Sequence, residues 1–221
     1  MIRGILFDLG NTLLDFPRLN SSEVVHRGAE EAYAWLRELD QPVPPFKRFL
    51  RRQLRMIRWR YLRSRLTRRE FSSLKVLRQA SRAMGQKLTE QQVEELAWRW
   101  YLPLTRCATV EPMLHDVLAG FVRRGMRLGI VSNTFVPGEV LDRHMQQENL
   151  LRYFPVRVYS CDVRYRKPDR RIFEQALHEV GLGSRETMFV GDSLHADIVG
   201  ARRCGMVSIL KDPTGKREHW T

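Results

Sequence analysis

Residues 1–16 read MIRGILFDLGNTLLDF. Ile2 to Phe7, apolar except for one Arg and one Gly, has the length and continuity of a buried strand. The run stops on an acid, Asp8, and then turns through Gly10, Asn11 and Thr12. Open α/β sheets gather their ligands at the carboxyl ends of parallel strands, so an aspartate there points to chemistry.

The partners of this strand lie far away in sequence. From Val110 onward short β-type runs alternate with helical segments closed by glycine, the pattern of a mainly parallel sheet covered by helices. Strands are predicted at Arg127–Val131, Pro155–Tyr159, Thr187–Val190 and Met206–Leu210, with helices at Met113–Arg124, Arg170–Val180 and Leu194–Cys204. The expected architecture is α/β: a Rossmann-like three-layer core with a mainly parallel sheet, plus an inserted α-helical bundle. The core takes residues 1–15 and 106–221, and the helical cap domain takes 16–105.

Four helices fill the insertion. The first opens at Asn20-Ser21-Ser22-Glu23 and is broken by Pro42, Pro44 and Pro45. A second starts at Phe46, with Phe46, Leu50, Leu54, Ile57 and Tyr61 at spacings of three or four. Thr67 with Glu70 resembles a capping box for a third that stops at Gly85, and Thr89 with Gln92 repeats the device for a fourth running to about Tyr101.

At 221 residues with 43% hydrophobic composition, the chain can bury a sizeable core. No apolar run approaches the roughly 20 residues needed to cross a bilayer, and the N-terminus enters a strand without a signal segment. A soluble, cytoplasmic protein with no membrane partner is expected. Cys107, Cys161 and Cys204 show no paired spacing and read as reduced thiols. The net charge of +13 favours anionic partners. Residues 16–105 hold 19 basic and 9 acidic residues, a balance of +10, so the insertion carries most of the excess.

Four strand ends offer polar groups: Asp8; Ser132 with Asn133; Lys167 shortly after the third; Gly191 and Asp192 after the fourth. Two carboxylates meeting on one sheet edge repel unless a cation holds them, and hard oxygen ligands suit Mg²⁺. A lysine, a hydroxyl and helix N-terminal amides can cradle an anion beside it. The combination reads as a metal-assisted phosphoryl site with Asp8 free to act as nucleophile.

ILFDLGNTL, LGIVSN, RKPDRRIFEQAL and FVGDSLHADIVGARRCG, in this order, resemble the four motifs of the haloacid dehalogenase superfamily, and the inserted helices resemble its small helical cap. The resemblance implies a Mg²⁺-dependent phosphatase in which Asp8 attacks phosphorus to form an aspartyl-phosphate. Ser132 would bond the phosphoryl oxygens and Lys167 would neutralise charge. Asn11, Thr12 and Asn133 would face substrate. The metal would be held by Asp8, the Gly10 carbonyl and Asp192, with Asp197 supporting it or orienting Lys167. One position departs from the pattern: phosphatases of this superfamily carry a second acid where this chain has Gly10. General acid/base help is thereby reduced, a loss of about 10²–10⁴-fold, felt least by substrates with good leaving groups. Asp15 reads as a structural turn residue.

The superfamily's dehalogenases also lack that second acid, so a 2-haloacid dehalogenase is the rival enzyme. The Gly191-Asp192 and Asp197 arrangement argues against it, because the metal-independent enzymes have no need of it. A weakly active or inactive polyanion-binding protein is the third reading. It draws on Phe46 to Arg69, FKRFLRRQLRMIRWRYLRSRLTRR, with eleven basic residues and no acidic one. A small phosphorylated substrate is the expected partner, and a nucleotide or nucleic acid is a candidate through this basic stretch.

Overall fold

In a computed structural model the chain is described over residues 1–16, 21–67 and 70–212, without the side chains of residues 21, 61 and 63–67. Five parallel strands form the sheet: β1 (Gly4–Phe7), β2 (Arg127–Ser132), β3 (Val156–Tyr159), β4 (Thr187–Gly191) and β5 (Val207–Leu210). Their spatial order is β3-β2-β1-β4-β5. All four residues of β1 are buried, because it lies between β2 and β4, with Phe7 opposite Ile130 on one side and Val190 on the other. The order reverses at β1, which makes the carboxyl ends of β1 and β4 the topological switch point where such sheets bind ligands.

The period-two alternation of β1 divides the interior into two cores. Ile5 and Phe7 join a cluster with Leu128, Ile130 and Phe154 that continues into the inserted helices through Leu36, Phe49, Leu96 and Trp98. Leu6 points the other way, against Phe173, Ala176, Phe189 and Ala201. The helices α1 (Ser21–Glu38), α2 (Phe46–Thr67), α3 (Ser73–Arg82) and α4 (Glu90–Thr105) follow β1 in sequence. Gly28 lets α1 approach α4 closely: a Cβ there would stand 2.4 Å from the Trp100 carbonyl oxygen. The remaining helices are α5 (Leu114–Arg123), α6 (Gly138–Gln147), α7 (Ser160–Val163), α8 (Arg170–Val180) and α9 (Gly200–Arg203).

The five strands fall on the predicted segments to within two residues. The Thr89 capping box is present: its hydroxyl accepts from the Gln92 amide and the Gln92 side chain accepts from the Thr89 amide. Two helical expectations change. Thr67 ends α2 instead of opening α3, which begins at Ser73, because Glu70 spends its carboxylate on contacts with the core. Helix α4 runs past Tyr101 and carries Pro103 inside it. The segment after β4 opens as a single π-helical stretch, Leu194–Val199, before α9. Asn20, Arg68 and Arg69 lie outside the described residues.

On α2, Phe49 and Gln53 are buried while Lys47, Arg51, Arg55 and Arg58 are exposed. Trp59 and Leu62 are also exposed, at 63% and 60%. Among the described residues the membrane question has a plain answer: no helix is long and apolar enough to cross a bilayer.

Candidate active site

Asp8 sits one residue past β1, 7% exposed, and its amide donates to the Val190 carbonyl of the neighbouring strand (2.8 Å). Its Oδ1 accepts from Lys167 Nζ at 2.6 Å, and its Oδ2 accepts from Thr12 Oγ1 at 3.3 Å. Lys167 reaches across from the loop between α7 and α8, 159 residues away, and its ammonium lies 2.7 Å from Asp197 Oδ1 as well. The other Asp197 oxygen accepts the Ser193 amide at 2.9 Å. Asp197 is therefore held on both sides, and it orients the lysine.

Gly191 makes this arrangement possible. A Cβ at that position would stand 2.5 Å from the Asp197 carboxyl carbon, so the end of β4 must lack a side chain for Asp197 to fold back beneath it. Asp192, the next residue, is half-buried. Oxygens of Asp8, Asp192 and Asp197 all lie within 4.8 Å of one another. The two acids predicted from opposite ends of the chain thus share one site.

The charges explain what such a site accepts. Burial raises the Asp8 pKa, and Asp197 raises it further, against the opposing pull of Lys167. Asp192 is likewise raised by burial and by its two carboxylate neighbours. Burial works against the Lys167 ammonium, but Asp8 and Asp197 overcome it and hold the pKa above the ordinary lysine value. Three carboxylates against one ammonium leave a surplus of two negative charges when all are ionised. A divalent cation with a preference for oxygen ligands offsets that surplus, so the residues present fit Mg²⁺ chemically.

The predicted substrate-facing residues divide. Ser132, at the end of β2, is 5% exposed, and its hydroxyl makes no hydrogen bond among the described residues. Thr12 spends its hydroxyl on Asp8. Asn133 spends its whole carboxamide on the Lys167 backbone: Nδ2 donates to the Lys167 carbonyl (2.9 Å) and Oδ1 accepts the Lys167 amide (2.7 Å). Asn11 has a left-handed backbone, φ 57°, and its side-chain oxygen accepts the Phe16 amide at 3.3 Å. Asn favours this conformation more than most residues. Asn11 and Asn133 thus brace the turns that present Asp8 and Lys167.

Gly10 is half-buried, and a Cβ built there would meet only the Phe16 ring, at 4.0 Å. Nothing in the packing demands glycine. Asp15 is engaged elsewhere: Lys211 Nζ donates to both of its carboxylate oxygens (2.7 and 2.8 Å) and to the Thr12 carbonyl (3.1 Å). Lys211 was not predicted. It follows β5 at the far end of the chain, and no local pattern marks it as a brace for the first turn.

A parallel sheet with a carboxylate cluster and a buried lysine at its switch point is an α/β site built to hold charged ligands. The chain belongs to the haloacid dehalogenase-like hydrolases, a family that matches residues 2–205. Among curated relatives it is 25% identical over 216 residues to the pyrimidine 5'-nucleotidase PynA of Streptococcus pneumoniae, covering 97% of this chain and 86% of that protein. It is 34% identical over 104 residues to a glyceraldehyde 3-phosphate phosphatase of Methanothermobacter thermautotrophicus, covering 45% and 43%. Among solved structures, a phosphatase of this family from Thermococcus onnurineus is similar with a TM-score of 0.59 at 25% identity, covering 99% of this chain and 90% of that one. A 2-haloacid dehalogenase from Pseudomonas syringae shares the fold with a TM-score of 0.64 at 24% identity, covering 98% and 89%.

Proposed function

We propose that the protein is a Mg²⁺-dependent phosphomonoester phosphatase acting through an aspartyl-phosphate on Asp8. The observation that carries this reading is the convergence of Asp8, Asp192 and Asp197 within 4.8 Å around a lysine-bound nucleophile. Phosphoryl transfer is accelerated mainly by positioning and charge neutralisation, and these groups are arranged to supply both. Asp8, Asp192 and the Gly10 carbonyl would hold the metal, with Asp197 behind them; when bound, it would neutralise charge on the phosphoryl oxygens.

The chain's own groups do the rest. Thr12 and Lys167 fix the two Asp8 oxygens, so the carboxylate is oriented before substrate arrives. Lys167 and the unoccupied Ser132 hydroxyl bind the remaining phosphoryl oxygens. Asp8 attacks phosphorus as the bond to the ester oxygen breaks, the leaving group departs as its alkoxide or aryloxide and takes its proton from solvent, and water then cleaves the acyl-phosphate, releasing inorganic phosphate and returning Asp8. With glycine at position 10 the chain offers no second acid in the first turn, so leaving groups that depart without a proton are favoured. The inserted helices act as a cap over this edge of the sheet, admitting substrate and excluding solvent.

Dehalogenation is the less favoured reading, because displacement of halide from carbon requires no surplus-negative carboxylate cluster. Relatives named as a pyrimidine 5'-nucleotidase and a glyceraldehyde 3-phosphate phosphatase support small phosphorylated substrates. The test is phosphate release from an activated aryl phosphate with and without Mg²⁺, for the parent and for Asp8→Asn. The parent should turn over only with metal, and the variant should lose at least 10³-fold. Equal rates for the two proteins, or halide release from a 2-haloacid without metal, would replace the assignment.

A further inference from the structure

Among the described residues, Glu70 is the only buried carboxylate outside the Asp8 cluster, at 7% exposure. It lies between α2 and α3, and it reaches groups of the core as well as its own linker. Its amide donates to the Arg164 carbonyl (3.1 Å). Its Oε2 accepts from Ser160 Oγ (3.3 Å) and stands 3.5 Å from the Arg166 guanidinium, while Oε1 accepts the Phe71 amide (3.3 Å).

Each core contact leads one step further to a reacting group. Ser160 Oγ accepts the Thr134 amide at 2.8 Å and lies 3.0 Å from the Thr134 carbonyl, two residues beyond Ser132. Arg166 immediately precedes Lys167. The same linker is pinned a second time on the Ser132 loop: the Ser73 amide donates to the Phe135 carbonyl (3.0 Å), and the Phe71 and Phe135 rings stack at 5.5 Å with 7° between planes. Stacked rings alone would anchor a linker at lower desolvation cost than a buried acid, and a buried acid is costly unless its partners are well placed. Glu70 adds a directional connection to two loops at once.

We infer that Glu70 is a positioning residue that ties the inserted helices to the loops bearing Ser132 and Lys167, so that the placement of the helices sets the geometry of the phosphoryl site. Its effect on turnover rests on the phosphatase reading; its effect on the loops does not. The test therefore has two arms. In the unliganded protein, Glu70→Gln should raise amide hydrogen exchange in peptides covering residues 132–137 and 160–167 while leaving that of β4 unchanged. In turnover of the aryl phosphate, the same substitution should lower kcat about tenfold with KM within twofold, the pattern of a misplaced reacting group. Arg166→Gln should do the same, and the double variant should be no worse than either single one.

If Glu70→Gln does not fold, Glu70→Asp keeps the charge but draws the carboxylate back by one methylene, and the same shifts are expected. Unchanged exchange in both loops overturns the inference, as does a lower melting temperature with kcat of the folded protein intact, which would make Glu70 a structural staple only. Raised exchange in Glu70→Gln together with a parent that releases no phosphate would sink the phosphatase reading and leave the coupling standing.

Discussion

Position 10 is where the proposed chemistry can be tested most directly. The turn from Asp8 to Thr12 is built by Asn11 in the left-handed region and by the Thr12 hydroxyl on Asp8, and neither feature depends on what side chain stands at 10. A carboxylate introduced there has room beside the Phe16 ring. Gly10→Asp should therefore fold normally and raise turnover of alkyl phosphates, whose leaving groups need a proton, by about 10²-fold, while changing aryl phosphates with good leaving groups by less than about threefold. Steady-state rates across a series of esters of rising leaving-group pKa measure it. A parallel rise for every ester, or none, would show that proton donation is not what the glycine withholds. Asp15 is no substitute, because Lys211 holds both of its oxygens.

Between elements, the most telling contact joins α4 to α6. Tyr101 Oη and His144 Nδ1 share a hydrogen bond of 3.0 Å, and His144 is fully buried. Burial pushes the His144 pKa down to about 4 from its ordinary 6.5. The folded protein thus keeps the imidazole neutral in a range where the unfolded chain takes up a proton. Between about pH 6.5 and 4 the unfolded state binds more protons, so stability falls as pH falls through that window and is constant, for this group, above it. The contribution is on the order of 3 kcal/mol at most. Thermal melts at pH 7.5 and 4.5 should show His144→Gln less stable than the parent at the higher pH but losing less on acidification. Equal losses would mean that other groups govern the acid limb.

What the sequence made legible follows from the range of the forces involved. Strands β1 and β2 are readable because burial on both faces writes a continuous apolar run, and the Thr89 capping box because its bonds span three residues. Asp8, Lys167 and Asp192 are readable from their places at or just after strand ends, and Asp197 only through the family resemblance, although the bonds joining them cross as many as 159 residues. Glu70 was misread for a physical reason: Thr67 and Glu70 carry the local spacing of a cap, and a tertiary contact with Ser160 and Arg166 outcompetes it. Lys211 left no trace because its partners, Thr12 and Asp15, lie almost 200 residues upstream. Helix α6 likewise went unpredicted; it opens after Pro137 with no side-chain cap.

The charge is a property of the whole molecule. A net +13 is concentrated in the insertion, and on α2 the cations Arg51, Arg55 and Arg58 are exposed, on a helix with no acidic residue. Like charges one turn apart cost a helix a few tenths of a kcal/mol each, a cost that brings no compensating ion pair within α2. The surface they create attracts phosphate esters over a range set by the Debye length, about 10 Å at 0.1 M salt. If the inserted helices serve as the cap, this field acts on substrate before it meets Asp8, and the gain appears in encounter and not in the chemical step. Replacing Arg51, Arg55 and Arg58 together with Gln should lower kcat/KM for a dianionic phosphate ester two- to tenfold at low ionic strength and leave kcat unchanged. Raising the salt to about 0.5 M should bring parent and variant together, because the Debye length then falls to a few Å. A loss that persists in high salt would place an arginine in direct contact with substrate; no loss at any salt would leave the arginines as a solvated face with no part in catalysis.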